Sequence, residues 1–133
     1  MLRKLKKDNK GQAMVELALV LPVLLLLVFG IIEFGRVFGT YLMVTHGARE
    51  GARAGAVGIA DTDIIALVRD RTANLQLSEA KLVVNISPGQ LSRTRGDGIT
   101  VDVEYPVDIY APFISIFTGS SYTVSSQVTM RIE

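Results

Sequence analysis

His46 is the only imidazole in the 133-residue chain, so any histidine-based acid–base pair would have to use it. It lies between Thr45 and Gly47 in a stretch that reads as helix, where a plain surface histidine is the simpler account. Ser120 and Ser121 follow Gly119 but lack the frame of a nucleophile elbow. Asp102, Glu104 and Asp108 supply oxygens of the kind calcium takes, yet carboxylates at alternate strand positions usually mark a solvated face. Arg95-Gly96-Asp97 has the form of an adhesion tripeptide, which arises readily by chance in a glycine-rich turn. The absence of cysteine excludes disulfides, zinc–thiolate sites, iron–sulfur clusters and a cysteine nucleophile. These residues predict no enzyme, with no catalytic residue, no cofactor, no metal and no small-molecule substrate.

The spacing that does call for an explanation lies near the N-terminus, in Lys10-Gly11-Gln12-Ala13-Met14-Val15-Glu16. Gly11, between a basic leader and an apolar helix, can take extended or left-handed backbone at no side-chain cost. Glu16 places a carboxylate within an apolar helix, which costs ~2.5–3.5 kcal/mol on insertion scales, so it has a partner, a function, or a solvated place at headgroup level. The pattern resembles a prepilin cleavage site. That resemblance implies that a membrane aspartyl peptidase, the prepilin peptidase, cuts after Gly11 on the cytoplasmic side and leaves Gln12 as the new N-terminus. The new ammonium would lie one helical turn from Glu16, or a neighbouring subunit would supply one.

These residues are positioned by a helix whose nature follows from composition. The chain is 49% hydrophobic and 20% charged with a mean hydropathy of +0.37, too apolar for disorder and rather apolar for a plain cytosolic domain. Its length allows one modest domain. The formal charge is only +1, which predicts no nucleic-acid partner. That average hides an asymmetry: Arg3, Lys4, Lys6, Lys7 and Lys10 precede the apolar run against a lone Asp8, and the remainder is net acidic. Residues 13–32, interrupted only by Glu16, are about enough to cross ~30 Å of hydrocarbon as a helix. The leader cations place the N-terminus in the cytoplasm. An ordinary cleaved signal fits poorly, because the sequence after Ile32 is bulky and charged and offers no small-residue cleavage site.

The motif then narrows. Residues 11–22, the leucine run, Phe29-Gly30-Ile31-Ile32-Glu33-Phe34-Gly35-Arg36 and Ala48-Arg49-Glu50-Gly51-Ala52-Arg53 together resemble the TadE-like family, pseudopilins or minor pilins of the Tad/Flp tight-adherence pilus and secretion system. The likeness is strong over roughly the first 57 residues, and residues 123–131 are similar to the family's final strand. It implies a single-pass inner-membrane protein with its C-terminal domain outside, which can end in a pilus or pseudopilus. Its implied partners are membrane lipid, the prepilin peptidase, other pilin or pseudopilin subunits and Tad-type assembly proteins. A permanently signal-anchored envelope protein whose outer domain binds a partner is the alternative.

Downstream, physics alone predicts the elements. No proline lies between Glu33 and Val57, so the helix should run from Gln12 to about Val57, loosened or kinked at Pro22. Gly47, Gly51 and Gly55 form a small-residue stripe that permits close packing, either against another helix or against the protein's own sheet. Gly58-Ile59-Ala60 ends the rod, and Asp61 suits the N-cap of a second helix over 61–77 with Ile64, Leu67, Val68 and Leu75 inward. Period-two alternation predicts strands near 81–87, 99–105 and 122–132, with Pro106 marking a strand end or edge and an irregular or short helical connection over 108–118. The expected organisation is a basic leader at 1–11, a transmembrane helix at 12–36 and an outer domain at 37–133. The fold class is α+β and pilin-like: a long N-terminal transmembrane helix continuing into a small domain with a second helix and a three-stranded antiparallel sheet.

Overall fold

The proline-free, glycine-tolerant stretch forms one rod. In the computed structural model, which describes residues 9–73, 79–111 and 114–133, helix α1 spans Asn9–Ala56 without a break at Pro22. Its 48 residues give a length of about 72 Å at the usual rise. The rod starts before Gln12, so Gly11 lies in its first turn and not in extended chain. It ends in a Schellman motif. The Gly58 amide donates to Gly55 O (3.1 Å) and the Ile59 amide to Ala54 O (3.2 Å), and Gly58 takes the left-handed φ of 86° that this cap requires.

Helix α2, Asp61–Thr72, is shorter than the expected 61–77; Leu75 and the rest of 74–78 lie outside the described residues. Its N-cap is Ala60, without a side-chain cap, which corrects the assignment to Asp61. The Asp61 carboxylate is engaged elsewhere, accepting from the Gln90 amide at 3.1 Å and pairing with Arg93. Arg93 also donates to Ile59 O at 3.0 Å and Pro88 O at 3.3 Å. This arginine ties the loop after β1 to the end of the rod.

Strands β1 (Val83–Ser87), β2 (Gly98–Asp108) and β3 (Ser121–Arg131) form an antiparallel sheet in the order β1-β2-β3. The five-residue helix α3, Ile114–Thr118, lies in the β2–β3 connection. Pro106 does not end β2, which runs past the expected boundary at 105, but it does lie on an edge, the other alternative. β1 pairs only as far as Val83 with Glu104, whereas β3 pairs on through Thr123 with Pro106 to Ser121 with Asp108. Beyond Glu104 the β1 side of β2 is therefore a free edge among the described residues, and a proline without an amide hydrogen is tolerated there.

One face of the sheet lies on α1 and α2. Ile99, Val101, Val103, Tyr105 and Val107 from β2 are buried with Val44, Ala48 and Ala52 of α1 and Ile64 and Val68 of α2. β3 adds Val124 to this core, with Val128, Met130 and Ile132 alternating inward. The opposite face carries Asp102 and Glu104, half-exposed, and Thr100 and Thr129, whose hydroxyls hydrogen-bond at 2.8 Å. The structure is thus the pilin-like α+β fold: a long apolar helix, a second helix and a three-stranded antiparallel sheet.

Candidate functional site

α1 has two halves with different surroundings. From Gly11 to Phe29 every residue is exposed, and the helix is long and apolar enough to cross a membrane. Leucine, valine and phenylalanine are exposed all around it, a distribution that water disfavours and hydrocarbon does not. From Glu33 onward, one face of the same helix is buried under the sheet and α2. The exposed half is the membrane anchor and the covered half is the spine of the head.

Gly11 is exposed, and a side chain there would meet nothing within 4 Å. Gln12 and Glu16 are also exposed, one turn apart on the same side of α1. Met14, Val15, Leu17 and Leu19 surround Glu16 with apolar side chains open to the exterior. The carboxylate thus sits where lipid or another helix would reach it.

The glycine stripe faces the protein's own core. A Cβ on Gly47 would lie 3.2 Å from Thr72 Cγ2 and 3.3 Å from Val68 Cγ1. On Gly51 it would lie 2.8 Å from Val68 Cγ2 and 3.3 Å from both Ile64 Cγ2 and Val101 Cγ1. On Gly55 it would meet the Ile99 side chain at 2.3 Å. Of the two alternatives posed by the sequence, these three glycines make room for α2 and β2.

A cluster that sequence reasoning did not single out sits where the two halves of α1 meet. Arg36 pairs with the buried Glu33 at 2.5 Å and donates to Asp108 O at the end of β2. Its guanidinium carbon lies 4.5 Å from the ring centroid of Tyr110, a cation–π contact. Thr40 Oγ1 donates back to Arg36 O at 3.0 Å. The i, i+3 spacing of Glu33 and Arg36 is a local feature; Asp108, 72 residues away in sequence, and Tyr110 beyond it carried no local signal. Beside the cluster runs an apolar groove lined by Gly30, Phe34, Val37, Ile109 and Tyr122.

The remaining candidates stay apart. His46 is exposed on α1. Among the described residues no group of three or more His, Cys, Asp or Glu could hold a metal ion. Asp108 pairs instead with Lys81 at 2.6 Å, and this hydrogen bond and charge raise the Lys81 pKa above its ordinary value. A raised lysine pKa keeps the pair ionised through neutral pH and releases it only as pH climbs through the raised value. Ser120 and Ser121 are exposed at the start of β3. Arg95, Gly96 and Asp97 form the turn into β2, where Thr94 and Asp97 share a hydrogen bond.

No curated protein and no solved structure matches the chain. The bare span, the head on the second half of its helix and the small-residue core contact together describe a membrane-anchored protein of the pilin type. The segment carrying Gly11, Glu16, Glu33, Arg36 and the glycines at 47 and 51 is similar to the TadE-like family: residues 11–53 match the family model for TadE-like protein.

Proposed function

We propose that the protein is a minor pilin or pseudopilin, a subunit or initiator of Tad-type pilus assembly and secretion. The observation that supports this reading is the exposed apolar half of α1, continuous with the half that carries the head, within the TadE-like match. Before assembly the exposed half resides in the inner membrane, with the leader in the cytoplasm and the head outside. The prepilin peptidase removes residues 1–11. Gly11 lies in the first turn of α1, where amides lack intrahelical acceptors and the helix frays most easily, so the cleft has little helix to unwind. Assembly then exchanges lipid contacts for contacts with the helices of other pilin or pseudopilin subunits and with Tad-type assembly proteins.

This reading is tested in spheroplasts of cells carrying the cognate peptidase. The recovered protein should begin at Gln12 by mass spectrometry, and added protease should digest the head while sparing the cytoplasmic end of the span. An intact Met1 or Leu2 terminus with the same protection pattern would replace the reading with that of a permanently signal-anchored protein. A protected head would overturn the topology itself.

Glu16 acts in assembly. Its carboxylate, exposed among apolar neighbours, pairs with an ammonium that exists only after cleavage, either on Gln12 or on a neighbouring subunit. Glu16→Gln keeps the size and removes the charge, so insertion becomes slightly easier and processing survives. Crosslinking to the assembly partners should fall, since a desolvated ammonium left without its counterion costs about 3–5 kcal/mol. Equal crosslinking by the processed variant and its parent would reduce Glu16 to a solvated headgroup-level residue.

A further inference from the structure

The sequence from Ile109 to Met130 contains no Asp, Glu, Lys or Arg, although part of it connects two strands at one end of the head, where a water-facing connection ordinarily carries polar and charged residues. Three bulky side chains stand out from that end: Ile116 is 74% exposed, Tyr110 73% and Tyr122 55%. Single exposed hydrophobic residues are ordinary. These three share one end of the domain, and its position relative to the membrane span can be measured along α1.

Tyr110 rests on Arg36, and Tyr122 lines the groove with Gly30 and Phe34. Gly30 lies two residues inside the end of the charge-free run at Ile32, roughly 3 Å along the helix axis. That end of the head, rimmed by the ion pairs Glu33–Arg36 and Lys81–Asp108, is thus level with the edge of the hydrocarbon. Tyrosine, with an apolar ring and a polar tip, favours that depth. The opposite end of the head is held near Ile59 and Asp61 by Arg93, roughly 40 Å farther from Gly30 along the same axis. Leu91, fully exposed there, stands clear of any bilayer that contains the span.

We propose that the head is seated on the membrane: Tyr110, Ile116 and Tyr122 enter the lipid interface beside the span and form a second lipid contact. The occupant of this surface is a bilayer, because it continues the lipid-facing surface of α1 and the intervening Glu33 and Arg36 are paired with each other. The proposal rests on the membrane anchoring of α1 and not on processing or assembly.

The absence of native cysteine makes the test direct. Ile116→Cys and Leu91→Cys, each in the full chain, are labelled with a fluorophore sensitive to polarity. Each is reconstituted into vesicles of phosphatidylethanolamine and phosphatidylglycerol at less than one chain per vesicle on average. Some of the lipid carries a nitroxide near the top of the acyl chain. The label at position 116 should shift to the blue and lose most of its emission to the nitroxide, while the label at 91 keeps both its colour and its intensity. Circular dichroism matching the parent shows that the heads are folded, and Ser115→Cys replaces Ile116→Cys if that variant is not. Emission at 116 as red and as unquenched as at 91 would overturn the proposal. So would a blue shift without quenching that appears only at high protein density, which would assign the surface to a second copy of the chain. The assay needs neither peptidase nor partner, so it can fail while cleavage after Gly11 succeeds, and the reverse.

Discussion

Gly51→Leu should abolish the cooperative unfolding of the head while leaving the span inserted. A Cβ at this position already falls 2.8 Å from Val68 Cγ2 and 3.3 Å from Ile64 Cγ2 and Val101 Cγ1, and leucine adds three more carbons behind it. Ile64, Val68 and Val101 are all fully buried, and a β-branched valine on a helix has little choice of rotamer with which to move aside. Leucine is a better helix former than glycine by somewhat under ~1 kcal/mol. Overpacking by even a few methylenes costs about 1–3 kcal/mol, occasionally more. Small domains hold roughly 5–15 kcal/mol in all, and here α2 must separate from both α1 and β2 to admit the side chain. Limited proteolysis of the membrane-inserted protein should show the head degraded at temperatures where the parent resists. Gly35→Ala, where a Cβ meets nothing within 4 Å, should leave the head intact. If Gly51→Leu keeps a resistant head and loses only contacts with other subunits, the stripe belongs to a helix–helix interface after all.

Arg36→Met should loosen the connection between β2 and β3 and leave the rest of the sheet in place. The substitution strands the Glu33 carboxylate, whose side chain is 9% exposed, and removes the donor to Asp108 O and the cation over Tyr110. Breaking a fully buried pair costs about 3–5 kcal/mol. With 37% of the Arg36 side chain exposed, solvent reduces this to roughly 2 kcal/mol, a change of about thirtyfold in a local opening equilibrium. The Ile109 amide, which donates to Ser120 O at 2.9 Å, reports that opening by hydrogen exchange. Its exchange should accelerate by that factor, whereas the Val101 and Val103 amides should not change. Glu33→Gln combined with Arg36→Met should recover part of the protection, because no charge is then left without its counterion. Unchanged exchange at Ile109 in Arg36→Met would mean that the cluster does not hold the connection.

The elements that a single sequence discloses here are those with a strict period or a local punctuation mark. The alternation from Tyr122 to Ile132 had one reading, and β3 spans Ser121–Arg131. Gly58 marked the end of the rod because a left-handed cap is a local requirement. Where the outcome depended on a distant partner, the sequence was silent or misleading. Asp61 has the chemistry of an N-cap, but its carboxylate is taken by Arg93 and the Gln90 amide, and neither could be foreseen from position 61. Pro106 suggested either the end of a strand or an edge, and it lies on an edge. Its tolerance inside β2 depends on β1 being too short to reach it, a property of register and not of residue type. The glycine stripe was legible as a demand for close approach, but the identity of what approaches is written in Ile64, Val68 and Val101, on other elements. For the proposed site, Gly11, Gln12 and Glu16 could be singled out because their spacing is short. Arg36 stayed unremarked because its importance lies in Asp108 and Tyr110.

The unbroken course of α1 makes the protein a lever. Anchor and head share one helix, Asn9–Ala56, and the proline-free part above the span is clamped by the sheet and α2, so no swivel separates the two. A tilt of about 20°, ordinary for a membrane span, swings the far end of the head sideways by roughly 12 Å. A pull along the span likewise reaches Val44, Ala48 and Ala52 as axial load on the core, without slack to take up first. Events in the bilayer are therefore felt by the head as rotation and displacement of a rigid body, with the lipid depth of Tyr110 and Tyr122 setting how far that body can lean.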